Sequence, residues 1–253
     1  MKKYNGRARL RFTLGMLVAL LVVLSGCSTP ELQPLTLQAA PWADGEQSTY
    51  KVTDLNNNYA GTALISFTAG AAQVEGEAWT MRRETMTQGE QEIVVVEMTA
   101  QGLRPRSSTL VRLLGNGREQ VKATYSSGQV DLELTTVRDV TTYERINVPS
   151  DVRDQRTLLA LVRTLPLAAG YATEINSFLP VANLLERPTI VVTQKEQVEA
   201  PIGVYEAWRV ELRTTDNTTV AWVATGPPYM LIKFEDGHSG GVYELSEYQA
   251  GNQ

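Results

Sequence analysis

Between Tyr50 and Val148 apolar residues recur at every second position, and turn residues break the alternation again and again. Val121, Ala123 and Tyr125 alternate with polar residues, and so do Val130, Leu132 and Leu134. Successive side chains of a strand point to opposite faces, so this period predicts strands with one buried face each. Turn signals stand at Asn56-Asn57-Asn58, Thr87-Gln88-Gly89, Gln101-Gly102, Gly115-Asn116-Gly117 and Ser126-Ser127-Gly128. An Asn-Gly between alternating runs is a hairpin signal. The pattern predicts strands near 48–55, 60–68, 73–84, 91–99, 107–115, 118–126, 129–137 and 139–147. Ile93-Val94-Val95-Val96 is an unbroken apolar run, which predicts burial on both faces. Five further strands are predicted near 189–198, 203–214, 218–225, 229–236 and 241–248, with turns at Asp216-Asn217 and Asp236-Gly237. Gly226-Pro227-Pro228 must interrupt pairing, because proline has no N–H to donate.

The period changes in the middle. Pro149-Ser150-Asp151 is a helix-start signal, with Asp151 and Asp154 near the positive end of the helix dipole. Leu158, Leu161, Val162 and Leu165 follow at helical spacing, and Pro166 should end or kink the helix. A second apolar stretch, Ile175, Phe178, Leu179, Val181, Leu184 and Leu185, contains Pro180 and predicts short helical or irregular structure. The expected fold is mostly β: a strongly curved antiparallel sheet or open barrel of about 12–13 strands, with a helical insert over 151–186 across its mouth.

Charge divides the chain before residue 27. Residues 1–26 carry Lys2, Lys3, Arg7, Arg9 and Arg11 and no acid. Taking these five from 23 basic residues leaves 18 against 28 acids, so the remainder sums to −10. The basic cluster precedes the uncharged stretch 14–24, which has signal-peptide length and falls short of the roughly 20 residues that span a membrane. Leu24-Ser25-Gly26-Cys27 resembles the bacterial lipobox. The resemblance implies cleavage before Cys27, a diacylglyceryl group on its sulfur and acylation of its new amine. Two or three acyl chains anchor stably where one is marginal. A plain signal peptide, or a signal anchor with a chance cysteine, is the alternative. Ser28 in place of an acid implies outer-membrane export in a Gram-negative host, and otherwise the outer face of the cytoplasmic membrane. The expected organisation is a signal peptide over 1–26, lipidated Cys27 with a flexible tether over 27–41, and one β-rich domain over 42–250.

The remaining composition excludes several classes. One cysteine forms no internal disulfide, and one cysteine with one histidine cannot build a His/Cys zinc site. The acidic balance argues against nucleic acid as a partner. No cofactor is implied.

Three stretches carry a family resemblance. Trp42-Ala43-Asp44-Gly45-Glu46 with Tyr50-Lys51-Val52, then Arg163-Thr164-Leu165-Pro166-Leu167-Ala168-Ala169-Gly170, then 198–210 with Ala221-Trp222-Val223, are similar to a bacterial family catalogued as domain of unknown function 3108. The resemblance spans roughly 42–248 and implies a periplasmic or surface β-protein without known catalytic residues. In architecture, a curved sheet with a helical insert also resembles the LolA/LolB-like lipoprotein carriers, whose half-barrels hold acyl chains. Fold alone does not give function.

His238, in Asp236-Gly237-His238-Ser239-Gly240-Gly241, reads as an exposed turn residue; Gly237 to Gly241 has the Gly-x-Ser-x-Gly spacing, but in a hairpin turn between two strands and not in the strand-to-helix turn of a nucleophile elbow. Glu75 and Glu77 share a strand face, with Glu84, Glu90, Glu92 and Glu97 following. Such carboxylates could pair as in a glycosidase or bind Ca²⁺, but they read as a solvated face. Arg82, Arg83, Arg104, Arg106 and Arg112 could hold a phosphate or carboxylate headgroup, with surface ion pairing as the ordinary role. Arg82 and Arg83 point to opposite faces, so at most one lines a cavity. Trp79, Trp208 and Trp222 sit in strands where large rings fill a core, with cavity lining as the second reading; together with Leu158, Leu161 and Leu165 of the insert they are the candidates for lining a cavity. The expected protein is a non-catalytic, membrane-anchored envelope lipoprotein that binds an amphipathic or lipid-like ligand. The alternatives are an interaction module that docks an envelope protein and, third, an enzyme.

Overall fold

The alternating stretches become strands. The computed structural model describes residues 30–70 and 78–252; the leader, Cys27, Glu75 and Glu77 lie outside the described residues. Before the insert come β1 (Glu46–Thr53), β2 (Tyr59–Ala69), β3 (Ala78–Thr87), β4 (Glu90–Thr99), β5 (Pro105–Leu114), β6 (Gly117–Ser126), β7 (Gln129–Thr135) and β8 (Thr141–Asn147). The insert adds β9 (Arg153–Asp154), β10 (Ala172–Glu174), β11 (Ser177–Leu179) and β12 (Leu184–Glu186). After it come β13 (Thr189–Ala200), β14 (Gly203–Arg213), β15 (Thr218–Ala224), β16 (Leu231–Glu235) and β17 (Val242–Gln249).

Fourteen of these form one antiparallel sheet in the order β10-β13-β14-β15-β16-β17-β1-β2-β3-β4-β5-β6-β7-β8. Two meanders, one on each side of the insert, are joined by β1 pairing with β17. The sheet does not close, because β8 and β10 are both edges. The expected mostly-β class and open, curved sheet are therefore what the chain adopts. Ile93 and Val95 are only half-buried while Val94 and Val96 are fully buried, so β4 alternates after all and has one core face. Close strand pairing depends on glycine at one contact. A Cβ on Gly61 would lie 1.9 Å from the Met86 carbonyl oxygen, so only glycine lets β2 and β3 run this close.

The insert departs from expectation. Its main helical part covers only 155–164, as a 3₁₀ turn (Gln155–Thr157), one α turn, α1 (Leu158–Leu161), and another 3₁₀ turn (Val162–Thr164). The residues before it stay extended because they pair: Arg153 donates its N–H to the Asn176 carbonyl at 2.8 Å, and β9 runs parallel to β11. Asp154 then caps the turn, accepting from the Arg156 N–H at 2.9 Å. Pro166 follows the helical part, as expected. Beyond it β10 joins the main sheet, the short helical structure expected around Pro180 forms as a 3₁₀ turn (Pro180–Ala182), and β12-β11-β9 make a small sheet in which Phe178 is fully buried against Ala123, Val130 and Leu132.

Leu158, Leu161, Val162 and Leu165 bury their side chains in the main core together with Tyr50, Phe67, Val94, Val210, Ile232 and Leu245. The insert thus fills the concave side of the sheet rather than merely crossing its mouth. Residues 32–40, expected as tether, also lie on this body. Gln33 donates to the Ala172 carbonyl at 2.8 Å and Gln38 to the Thr164 carbonyl at 2.7 Å, with Leu35, Leu37 and Ala40 packed on the core.

One ion pair stands inside the core. Arg163 Nη1 donates to Glu46 Oε1 at 2.7 Å, with the two side chains 4% and 1% exposed. Arg163 also donates to the carbonyls of Tyr229 at 2.9 Å and Pro228 at 3.0 Å, and its guanidinium lies over Trp42 and Phe67. The Tyr248 hydroxyl donates to the other Glu46 oxygen at 3.0 Å, and burial with that carboxylate pushes its pKa up to about 12. Every strong donor and acceptor of the pair is satisfied, as a buried charge requires.

Candidate functional site

Beside the helical turn the wrapped sheet leaves a cavity of about 420 Å³. Leu110 on β5 and Leu212 on β14 both line it, although eight strand steps separate them in the sheet. On a flat sheet those steps would span about 38 Å, so the shared cavity measures how far the sheet curls. The inner rows of β3 to β5 and of β14 to β17 form its walls, and the insert supplies Gln155, Arg156, Leu158, Leu159, Leu179 and Val181.

The cavity has two chemical characters. Leu110, Leu158, Leu212 and Phe234 are buried and apolar. Opposite them lies a charged group built by strand register. Thr85 on β3, Glu92 on β4 and Arg112 on β5 are direct cross-strand neighbours, and Arg83, Val94 and Leu110 form the next row inward. Glu92 therefore stands between two guanidiniums: Arg83 Nη2 is 3.0 Å from one carboxylate oxygen and Arg112 Nε 2.9 Å from the other. Arg156 reaches the same place from the helical turn and donates to the Ser108 hydroxyl at 3.0 Å. Its second terminal nitrogen, Nη2, and Arg83 Nε are buried without an acceptor.

Burial by itself raises the Glu92 carboxyl pKa, but Arg83, Arg112 and Arg156 together outweigh it and hold the group below its ordinary 4.5. For Arg156 burial dominates and lowers the pKa, with Arg83 adding to it and Asp154 and Glu92 opposing it. Burial likewise raises the pKa of the Tyr243 hydroxyl, which also lines the cavity.

Hairpin tips form the rim. His238 is exposed there, within 3.2 Å of the Asn217 side-chain amide and 3.5 Å of that of Gln155. Gly237 packs against β15 so closely that a Cβ would meet the Thr218 carbonyl oxygen at 2.6 Å. Asp236 accepts from the Ser239 hydroxyl at 2.7 Å.

Of the residues expected to line a cavity, Leu158 does so. Leu161 and Leu165 are buried in the core behind it, 0% and 1% exposed. Trp79 borders a surface groove and meets Trp42 edge-on at 6.1 Å. Trp208 packs under the Lys195 ammonium, and Trp222 lies under Lys233 with its indole N–H on Glu196. Neither lines the cavity. Among the arginines, Arg83 points inward while Arg82 pairs with Glu84, as parity requires. Arg104 donates to the Ser150 carbonyl at 2.9 Å, and Arg106 lies 3.5 Å from Glu97. Arg156 was not a sequence candidate. The available signal was a helical stretch, apolar on one face, that carries Arg156 and Arg163 seven residues apart on another. Among the described residues no group of three or more His, Cys, Asp or Glu side chains is placed to hold a metal ion, and no helix is long and apolar enough to cross a membrane.

A curled open sheet with a half-apolar cavity defines an open, barrel-like β fold. Residues 36–244 match the sequence profile of a family described as protein of unknown function (DUF3108), and the chain belongs to that family. No curated protein matches its sequence. Among solved structures, a beta-barrel-like protein of domain of unknown function DUF1849 from Brucella abortus is similar in fold. It has a TM-score of 0.53 and 11% identity, over 84% of this chain and 100% of that one. A chain from Parabacteroides distasonis, provisionally described as a lipoprotein, aligns at a TM-score of 0.31 and 14% identity over 86% of this chain and 100% of its own.

Proposed function

We propose that this chain is a non-catalytic lipoprotein of the bacterial cell envelope that holds an amphipathic, lipid-like ligand in its internal cavity. The cavity is the observation that carries this reading. Its volume of about 420 Å³ falls within the ~300–1,000 Å³ of small-ligand sites. Each methylene moved from water onto the Leu110, Leu158, Leu212 and Phe234 wall contributes about 0.8 kcal/mol, against which the entropy of association must be set. Cys27, acylated as the lipobox resemblance implies, holds the domain at the membrane from which such a ligand would come. At the rim Asp236, His238 and Ser239 share one turn, but the Ser239 hydroxyl donates to Asp236 and the His238 ring meets Asn217 and Gln155, which supports a turn role over a catalytic triad.

Native mass spectrometry of the lipoprotein from its own host tests the proposal. A bound amphiphile should accompany the chain and disappear in Leu159→Trp, which fills the cavity from a residue already lining it. A chain that carries no extra mass before or after the substitution would refute the binding role.

A further inference from the structure

The charged group facing the apolar wall has a composition that a purely apolar ligand would leave unused. Three guanidiniums, Arg83, Arg112 and Arg156, surround one carboxylate, Glu92. Asp154 stands behind Arg156 without lining the cavity, and its own carboxylate is engaged by the Tyr125 hydroxyl at 2.7 Å and by the Arg156 N–H. Of the rim acids, Glu90 is exposed to water, and half-buried Asp236 is engaged by the Ser239 hydroxyl and the His238 N–H. Arg156 is 7% exposed and has a terminal nitrogen without an acceptor. Leaving a buried charged donor unpaired is unfavourable, and an arriving oxyanion removes that cost. Arg112 is the most open of the three, with 37% of its side chain exposed, so the cluster runs from the mouth to the buried end of the cavity.

We infer that the ligand is a single-chain amphiphile with an anionic headgroup, a carboxylate or a phosphate, held by Arg83, Arg112 and Arg156 with its chain along the leucine wall. This rests on the binding role proposed above and adds the headgroup. The volume sets the chain. At about 30 Å³ per water-sized group the cavity takes roughly 14 non-hydrogen atoms, which suits one medium-length chain with its headgroup.

Equilibrium dialysis decides the point. Radiolabelled decanoate, decyl phosphate, decanol and decyltrimethylammonium are each dialysed against the full-length lipoprotein in phosphatidylcholine nanodiscs, with uptake by empty discs subtracted. At least one anion should bind about tenfold or more tightly than decanol, and the cation should bind worse than decanol. The anion that binds more tightly identifies the headgroup as carboxylate or phosphate. Arg112→Gln, at the most exposed of the three positions, should reduce the anion's advantage over decanol by about tenfold, and Arg156→Met should do the same more strongly. Equal binding of decanol or the cation, or an anion preference that survives Arg112→Gln, overturns the headgroup assignment while the cavity reading stands. No binding of any of the four overturns both.

Discussion

Replacing Arg163 by Met leaves Glu46 buried with its main partner gone. The carboxylate is 1% exposed and would retain the Tyr248 hydroxyl as its neutral donor, while the carbonyls of Pro228 and Tyr229 would lose theirs. Breaking a buried ion pair from one side costs about 3–5 kcal/mol. For a domain of this length 1 kcal/mol moves Tm by about 2–4 °C, so Arg163→Met should lower it by roughly 6–20 °C. Glu46→Gln should cost somewhat less, since an amide can still accept from Arg163. The combined Glu46→Met and Arg163→Met variant removes both charges, and burying two apolar chains is often neutral or stabilising by comparison. Differential scanning calorimetry on the wild type, Glu46→Met, Arg163→Met and the double variant gives the coupling. The double variant should be more stable than Arg163→Met alone. Additive losses, or a single-variant loss below about 1 kcal/mol, would refute the claim that this pair is a desolvated, mutually dependent unit.

Further outcomes are expected elsewhere in the molecule. Glu92 is held below its ordinary 4.5 in the folded state, so its ionisation contributes stability above that pH and the contribution is lost as pH falls through the depressed folded value. Glu92→Gln should therefore show a lower Tm than the wild type at neutral pH, and the two should converge in acid; parallel Tm–pH curves would contradict this. Phe178→Ala empties the second core cluster and should cost about 3–5 kcal/mol by urea denaturation, with a smaller loss showing that the insert collapses onto the void. Cys27→Ser should abolish acyl labelling and membrane retention on fractionation; an acylated, membrane-bound variant would disprove anchoring through that residue.

Much of the fold was written locally. The period-two runs and their turn residues located the thirteen long strands, since alternation follows from strand geometry whatever the partner. Parity along β3 also assigned Arg83 and Arg82 to opposite faces. The insert was less legible, because Arg153 and Asp154 are held extended by pairing with residues more than 20 positions away. Helical spacing at Leu158, Leu161, Val162 and Leu165 predicted a longer helix than the 155–164 segment that forms. Size alone left the tryptophans between core packing and a cavity wall: Trp222 belongs to the core cluster, and Trp79 and Trp208 pack against it.

The candidate site was decided by tertiary structure. Arg83, Glu92 and Arg112 were visible as separate charged residues, but only strand register sets Glu92 between the two arginines. Arg156 joins them across the open side of the sheet, and Leu212 and Phe234 arrive from the other meander. Glu46 and Arg163 are 117 positions apart and meet in the core. The amino-acid sequence by itself determined what each segment could become, because backbone geometry and turn chemistry act over a few residues. Which segments face one another depends on the β1–β17 pairing and the curl of the sheet, long-range contacts to which no local pattern is sensitive.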